Sequence, residues 1–210
     1  MADVTLLPSD PYNLIIAGVG GQGNILTSKV IGTMLVRKGL MVTIGESFGM
    51  SQRGGSVCSH LRISSRDTYS PMVPPNAAHM ILGLEPIEMF RLLCQHGNPD
   101  VNVIFNTRPV HPVSVIIGNA AYPKIEDMQQ WMKALTARTW MLDATDEAIK
   151  LGRAIYANII LIGALAGVNV LPVDREAFEA VIAETMPQDK VEVNLRAFDM
   201  GQSMVASASI

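Results

Sequence analysis

Residues 18–23 read GVGGQG, and four of these six residues are glycine. They follow a short apolar run, residues 14–17, that is typical of a buried strand, and the chain from Asn24 onward has the pattern of a helix. A strand, a glycine turn and a helix in this order direct backbone N–H groups at one point, where the helix dipole adds positive potential. This arrangement predicts an anion site, most often one for phosphate.

The same segment fits the dinucleotide-binding fingerprint, with Gly18, Gly20 and Gly23 in the G-x-G-x-x-G positions. Gly21 adds a further glycine, so the backbone can approach a bulky anion closely. The side-chain amide of Gln22 either contributes to the same site or is simply exposed. Glu46 follows the second predicted strand, where a dinucleotide site carries an acidic residue that binds a ribose hydroxyl. The alternative role for the Glu46 side chain is a helix cap or a salt bridge in a loop.

A second glycine-rich segment, residues 47–56, reads SFGMSQRGGS and is not required by a dehydrogenase fingerprint. An arginine beside two glycines is well placed to bind a carboxylate or a phosphate through two hydrogen bonds. The candidate ligand-binding residues of this loop are Ser51, Gln52, Arg53, Gly54 and Gly55.

No acid, base, nucleophile or redox centre is evident elsewhere, and the catalytic residues stay unassigned. The histidines are scattered without metal-ligand spacing, and no cysteine–histidine pairing is expected. Cys58 and Cys94 are too few for a four-cysteine iron–sulfur or zinc site. Asn158 lies in an apolar helix and is expected to make a hydrogen bond in helix packing. The residues alone therefore predict a ligand-binding domain whose chemistry is supplied by another protein.

The composition is that of one globular domain in a chain of 210 residues, 49% hydrophobic and 17% charged. So high an apolar fraction indicates that a partner covers some apolar surface. The net charge of −3 gives no basic field for nucleic acid. The cysteine content fits a reducing cytoplasm, and no signal peptide is visible. The apolar run of residues 154–171 is predicted as a buried helix rather than a membrane span.

Predicted strands and helices alternate over the first two-thirds of the chain, and helices dominate the last third. The fold class predicted from this order is α/β: a Rossmann-like, three-layer domain with a mostly parallel sheet and a helical C-terminal third. Residues 1–11 are predicted as a loose arm and residues 12–210 as a single domain. Strands are expected at residues 40–44, 57–63 (half-exposed), 80–84, 101–105, 114–117 and 139–142, and helices at residues 24–38, 125–135, 147–167, 174–186 and 190–205.

The two glycine loops, together with LGLEPIEMFR at residues 82–91 and NLRAFDMG at residues 194–201, resemble the gamma-type domain of 2-oxoacid:ferredoxin oxidoreductases. Within that family the chain most resembles the small, stand-alone subunits of the indolepyruvate enzymes. The resemblance covers about residues 12–202.

This resemblance implies a cytoplasmic complex in which a large partner subunit holds thiamine diphosphate, Mg²⁺ and [4Fe–4S] clusters. The complex would convert a 2-oxo acid to an acyl-CoA and CO₂ and reduce ferredoxin. The present chain would share in binding coenzyme A, assemble with the large subunit and be inactive alone. Indolepyruvate, phenylglyoxylate and other aryl or branched 2-oxo acids remain open as substrates.

Two other functions are compatible with parts of the sequence. The first glycine loop and Glu46 also fit an NAD(P)-dependent dehydrogenase, but no tyrosine is followed by a lysine four residues later, as a Tyr-x-x-x-Lys motif would require. A non-catalytic nucleotide sensor is excluded only by the family resemblance.

Overall fold

The computed structural model describes residues 7–49, 55–111 and 113–206 of the chain. The strands are β1 (Tyr12–Val19), β2 (Met41–Phe48), β3 (Ser56–Ser64), β4 (Met80–Gly83), β5 (Asn102–Asn106) and β6 (Arg138–Leu142). The helices are α1 (Asn24–Arg37), α2 (Pro86–His96), α3 (Val113–Ile116), α4 (Ile125–Leu135), α5 (Ala144–Lys150), α6 (Ala157–Val168), α7 (Arg175–Thr185) and α8 (Gln188–Met204). A single 3₁₀ turn, Ala154–Tyr156, precedes α6.

The six strands form one sheet in the order β2-β3-β1-β4-β5-β6. Strands β1, β4, β5 and β6 are parallel neighbours, and β3 pairs antiparallel with both β1 and β2. Five strands therefore run in one direction and only β3 runs in the other. The predicted α/β class with a mostly parallel sheet is confirmed.

Alternate side chains of β1 enter two separate cores. Leu14 and Ile16 face the core that is completed by α1, α6, α7 and α8. Ile15 and Ala17 face the opposite core, which α2 and α4 complete. A central strand covered on both faces has an uninterrupted apolar sequence, which is why residues 14–17 predict a buried strand.

Strand β3 is buried, contrary to the expectation of a half-exposed strand. Its sequence alternates between apolar and polar residues, yet every residue from Val57 to Ser64 is buried. Leu61 and Ile63 join the first core, whereas Cys58 joins the second. The polar face of β3 is buried because its side chains find partners there, so alternation does not indicate exposure in this strand.

Two other predicted elements are wrong. Residues 114–117 were expected to form a strand, but α3 occupies this region, because β6 already takes the sheet position next to β5. The continuous helix expected over residues 147–167 is broken after α5, where Gly152 has a φ of 107°. This left-handed conformation ends α5, and the chain re-enters a helix through the 3₁₀ turn.

Part of the predicted N-terminal arm lies outside the described residues, namely residues 1–6. The remainder contacts the domain: Leu7 packs against the first core, and the Asp10 carboxylate accepts hydrogen bonds from the Ser65 N–H (3.1 Å) and hydroxyl (2.7 Å).

Helices α6 and α8 pack with their backbones in contact. A Cβ atom added to Gly201 would lie 1.8 Å from the carbonyl oxygen of Ile160, and one added to Gly163 would lie 2.0 Å from that of Phe198. Helix α6 is buried from Ala157 to Ala166, as expected for its apolar sequence. Within the described ranges of the chain, no helix is long and apolar enough to cross a membrane.

We expect Gly201→Ala to destabilise the protein by about 3 kcal/mol, because the new methyl group meets backbone that cannot rotate away. Helix propensity alone would favour alanine by up to about 1 kcal/mol, so the sign of the change is diagnostic. Urea denaturation followed by circular dichroism measures it. Ser203→Ala, on the exposed side of α8, is the control and should change stability by less than about 0.5 kcal/mol. Equal stability of Gly201→Ala and wild type would contradict the close helix contact.

Candidate functional site

The chain leaves the sheet in opposite directions after two neighbouring parallel strands. After β1 it enters α1 on one face, and after β4 it enters α2 on the other. The crevice at the carboxyl ends of such strands is where open α/β sheets bind ligands. Both the first glycine loop, which follows β1, and Leu84, which follows β4, lie at this edge.

The first glycine loop is held in shape by hydrogen bonds within the chain. The Gly20 N–H donates to the Gly55 carbonyl at 2.8 Å. The Gln22 side-chain amide accepts from the Val19 N–H (2.9 Å) and donates to the Leu84 carbonyl (3.0 Å). Gln22 thereby fastens the loop to the end of β4, and both polar atoms of its side chain are used within the fold.

Gly55 reaches this position because β3 pairs with β1. Val19 is opposite Ser56 in that ladder, so the residue before β3 lies beside the residue after β1. The antiparallel strand thus brings Gly55, near the end of the second glycine-rich segment, next to the first glycine loop. Ser51, Gln52, Arg53 and Gly54 lie outside the described residues, and their predicted roles stay predictions.

Two helices begin at the first glycine loop. Gly23 is the N-cap of α1, with a φ of 88°, no side-chain cap and no acidic residue in the first turn. Asn158, the second residue of α6, lies so close that a Cβ atom on Gly23 would be 2.4 Å from its Nδ2. Within the described part of the chain, the N–H groups of Gly21 and Gly23 meet no acceptor. The uncapped amino end of α1 and these free donors therefore lie beside the start of α6, which continues the 3₁₀ turn and whose first N–H, that of Ala157, donates to the Ala154 carbonyl.

A cavity of about 390 Å³ opens at this meeting point. Its walls come from the glycine loop, the ends of β4 and β5, the segment after β5, α5 and the start of α6. The lining residues are Gly21, Gln22, Leu84, Asn106, Arg108, Pro109, Val110, Thr145, Ile149, Ala154, Ile155, Ala157 and Asn158. Its volume and mostly apolar walls with a few polar groups are typical of small-molecule sites.

The wall after β5 is fixed by side-chain hydrogen bonds. Asn106 donates from Nδ2 to the Thr145 hydroxyl (2.9 Å) and accepts at Oδ1 from the Thr145 N–H (3.1 Å), which ties β5 to α5. Arg108 forms an ion pair with Asp146 at 2.8 Å. Because both groups of this pair are exposed, it contributes little to stability.

Glu85 anchors the other end of that wall. Its buried carboxylate accepts hydrogen bonds from the Glu88 N–H (2.8 Å), the Val110 N–H (3.3 Å) and the Tyr122 hydroxyl (2.6 Å). Burial raises the pKa of Glu85 above its usual value, and the three donors partly oppose this shift. The cavity wall at Val110 is therefore held by a carboxylate at the N-cap of α2.

The sequence matches the family described as pyruvate ferredoxin/flavodoxin oxidoreductase over residues 13–204. The chain belongs to this family. It is 37% identical over 195 residues to the indolepyruvate oxidoreductase subunit IorB of Archaeoglobus fulgidus, covering 93% of this chain and 96% of the relative. The predicted resemblance is confirmed, and so is the prediction of a subunit of an oxidoreductase of this kind.

Solved structures of the oxidoreductase family share the fold. The pyruvate oxidoreductase subunit PORC of Thermotoga maritima has a TM-score of 0.71 at 18% identity, with 93% of this chain and 97% of that chain covered. The 2-oxoglutarate:ferredoxin oxidoreductase of Magnetococcus marinus, solved with 2-oxoglutarate, coenzyme A and succinyl-CoA bound, has a TM-score of 0.73 at 17% identity. This chain matches 32% of that longer protein with 95% of its own length.

The predicted ligand-site residues that the structure describes fall into two groups. The first group lies together around the glycine loop and consists of Gly18, Gly20, Gly21, Gln22, Gly23 and Gly55. Gly18 lies within β1, where a Cβ atom would be 2.6 Å from Asn24 Oδ1. Glu46, in contrast, is on edge strand β2, which β3 separates from β1. Its carboxylate accepts a hydrogen bond from the Ser28 hydroxyl at 3.3 Å. Glu46 does not line the cavity.

Sequence reasoning missed several cavity residues and misjudged one. Asn106, Arg108 and Thr145 carry no motif, although the position of Asn106 at the end of a predicted strand was an available signal. The helix-packing hydrogen bond expected of Asn158 does not form: neither polar atom of this buried side chain has a partner among the described residues.

A cysteine–histidine contact, not expected from the sequence, lies away from the cavity in the second core. Cys58 Sγ and His60 Nε2 are 3.1 Å apart, because residues two apart on a strand share a face. Burial raises the pKa of the Cys58 thiol to about 11 and lowers that of His60 to about 4. Both groups are therefore neutral at physiological pH, and the pair is not an activated nucleophile.

We expect Tyr122→Phe to lower the free energy of unfolding at neutral pH by about 2 kcal/mol, because a buried carboxylate loses one of its donors. Thermal or urea unfolding measures the change. Tyr69→Phe is the control, since the Tyr69 hydroxyl meets no acceptor in the described ranges.

The same variant should depend on pH in a defined direction. The native protein holds the Glu85 proton more tightly than the unfolded chain, so stability from this group falls as the pH rises from the unfolded pKa of about 4.3 through the raised native value. Loss of the hydroxyl raises the native pKa further. The deficit of Tyr122→Phe should therefore be smaller near pH 4 than at neutral pH; a deficit independent of pH would rule out this role for Glu85.

Proposed function

We propose that this chain is the small subunit of a thiamine-diphosphate-dependent 2-oxoacid:ferredoxin oxidoreductase, and that its glycine-loop cavity provides part of the coenzyme A site. The single observation that carries this proposal is the uncapped N-terminus of α1 beside the cavity, where the N–H groups of Gly21 and Gly23 have no acceptor among the described residues. Such a site suits a pyrophosphate. The presence of coenzyme A in a family structure of the same fold supports the choice of ligand.

The cavity residues fit this ligand. Gly21 lines the cavity, and its N–H, together with those of Gly23 and the first turn of α1 that follow it in the chain, would bind the pyrophosphate without needing a cation. Leu84, Ile149 and Ile155 offer apolar walls to the uncharged pantetheine arm. Bound coenzyme A supplies the thiol that accepts an acyl group. The residues of this chain bind and orient the cofactor, and none of them has to transfer the acyl group or electrons.

The remaining cofactors belong, in this proposal, to a large partner subunit that holds thiamine diphosphate, Mg²⁺ and [4Fe–4S] clusters and passes electrons to ferredoxin. Two cysteines in the sequence cannot build a four-cysteine cluster. Val110 and Ile149, which line the cavity, are 39% and 51% exposed, and Ile25 and Leu26 in the first turn of α1 are 37% and 40% exposed. They form a surface that the partner would cover while completing the site.

An aryl 2-oxo acid such as indolepyruvate is the proposed substrate, because the A. fulgidus relative is named an indolepyruvate oxidoreductase subunit. The same proposal includes a cytoplasmic location and a single domain over residues 12–210. It also includes a role for Arg53 at the junction of coenzyme A and the partner.

Co-expression with the large subunit tests the division of labour. We expect a stable complex in native mass spectrometry, and reduction of ferredoxin only when the complex, a 2-oxo acid and coenzyme A are all present. The purified chain alone should be inactive. Activity of the free chain with 2-oxo acid and coenzyme A would overturn the proposal, and micromolar binding of NADH would favour a dehydrogenase instead.

Gly21→Ala tests the cavity. Gly21 has a φ of 102°, and no atom lies within 4 Å of an added Cβ atom, so the substitution strains the loop without a steric clash. We expect the apparent Michaelis constant for coenzyme A to rise about tenfold, as for the loss of one hydrogen bond to a charged group. Gly39→Ala is a matched control at the other end of α1, with a φ of 84° and equally open space. Gly39→Ala should lose a similar amount of stability and leave the Michaelis constant for coenzyme A unchanged. If both variants changed this constant equally, the glycine loop would not be part of the coenzyme A site.

A further inference from the structure

A second, smaller cavity of about 180 Å³ adjoins the first. The two share Ile155 and Asn158, which lie between them. Leu26, in the first turn of α1, faces the smaller cavity, so both cavities adjoin the same helix N-terminus. The smaller one also has two cationic residues in its wall, Arg153 and Lys190.

Asn158 has unused hydrogen-bonding capacity at the junction of the two cavities. Its side chain is 2% exposed, and neither Nδ2 nor Oδ1 has a partner among the described residues. By contrast, Asn194 in the smaller cavity donates to the Lys190 carbonyl at 2.8 Å. A buried amide without partners destabilises a protein. Asn158 therefore carries a donor and an acceptor that the described fold does not use.

Arg153 is the second unpaired group. It is exposed, lies directly before the 3₁₀ turn and takes part in no ion pair within the described chain. The other cations near the cavities are engaged: Lys190 is 3.0 Å from Asp189 and Arg108 is 2.8 Å from Asp146. A free guanidinium presents paired donors that match the oxygens of a phosphate.

We propose that the two cavities form one bipartite site, in which Arg153 binds the phosphomonoester on the ribose of coenzyme A and Asn158 binds that ribose. The inference rests on the proposed function and adds which part of the ligand each cavity receives. A ribose hydroxyl both donates and accepts, as does the Asn158 amide between the cavities. The glycine loop then meets the pyrophosphate, and the smaller cavity meets the second anionic group.

Calorimetric titration with coenzyme A and dephospho-coenzyme A tests this assignment, because the second ligand lacks only the ribose phosphate. The full chain is titrated alone and in complex with its large subunit. We expect wild type to bind coenzyme A about tenfold more tightly than the dephospho form, and Arg153→Gln to bind the two ligands equally. Arg138→Gln is the matched control: Arg138 is also exposed and unpaired among described residues, but lies at the amino end of β6, the opposite edge of the sheet.

The outcomes are distinguishable. Retained discrimination in Arg153→Gln, or equal loss in Arg138→Gln, would overturn the assignment of Arg153. Equal binding of both ligands by wild type would overturn the bipartite site and leave the proposed function standing. Binding of neither ligand, alone or in the complex, would overturn the proposed function together with the inference.

Asn158→Ala gives an independent readout. Because the amide has no partner to lose, we expect an unchanged or higher Tm and about tenfold weaker binding of coenzyme A. Asn13→Ala, near the amino end of β1 and outside both cavities, should do the reverse: it should lower Tm through the lost hydrogen bond from Asn13 Nδ2 to the Ala77 carbonyl (2.7 Å) and leave affinity unchanged. A lower Tm with unchanged affinity in Asn158→Ala would assign a merely structural role to Asn158 and contradict the proposal.

Discussion

The contact between Gly23 and Asn158 is the constraint on which the rest of the site depends. Two helices, α1 and α6, begin within van der Waals distance of each other, and a side chain at position 23 would overlap the Asn158 amide. The amino end of α1 adds positive potential there, and the N–H groups of Gly21 and Gly23 have no acceptor among the described residues. The Asn158 side chain does not cap α1, since its amide has no partner in the described structure. In our proposal, an anionic ligand accepts from these donors.

The rigid elements behind this contact explain how the fold sustains it. Helix α6 cannot retreat from α1, because its backbone is in contact with α8 at Gly163 and Gly201. On the other side, Gln22 fixes the loop to the end of β4, and Glu85 fixes the wall that faces it. The strain of uncapped helix ends is thus offset by burial elsewhere, which is a common arrangement at functional sites.

Strand β3 separates this fold from a simple dinucleotide-binding domain. Its insertion between β1 and β2 places Glu46 on an edge strand, where its carboxylate accepts from Ser28 of α1 and does not line the cavity. The same antiparallel pairing delivers Gly55 to Gly20. One change of topology therefore separates β1 from β2 and brings Gly55 to the first glycine loop.

Local sequence determined the order of most strands and helices, the buried β1, the position of the first glycine loop and the family, because periodicity, glycine spacing and motif pairs are properties of short segments. It could not determine burial of the polar face of β3, the break at Gly152 or the helical state of α3, since each depends on which neighbours occupy the adjacent space. Tertiary structure alone decided that Asn158, 135 positions after Gly23 in sequence, would contact it with both polar atoms unpaired among the described residues. Long-range contacts of this kind leave no local pattern, because the cost of an unpaired amide is offset by packing contributed from elements far away in the chain.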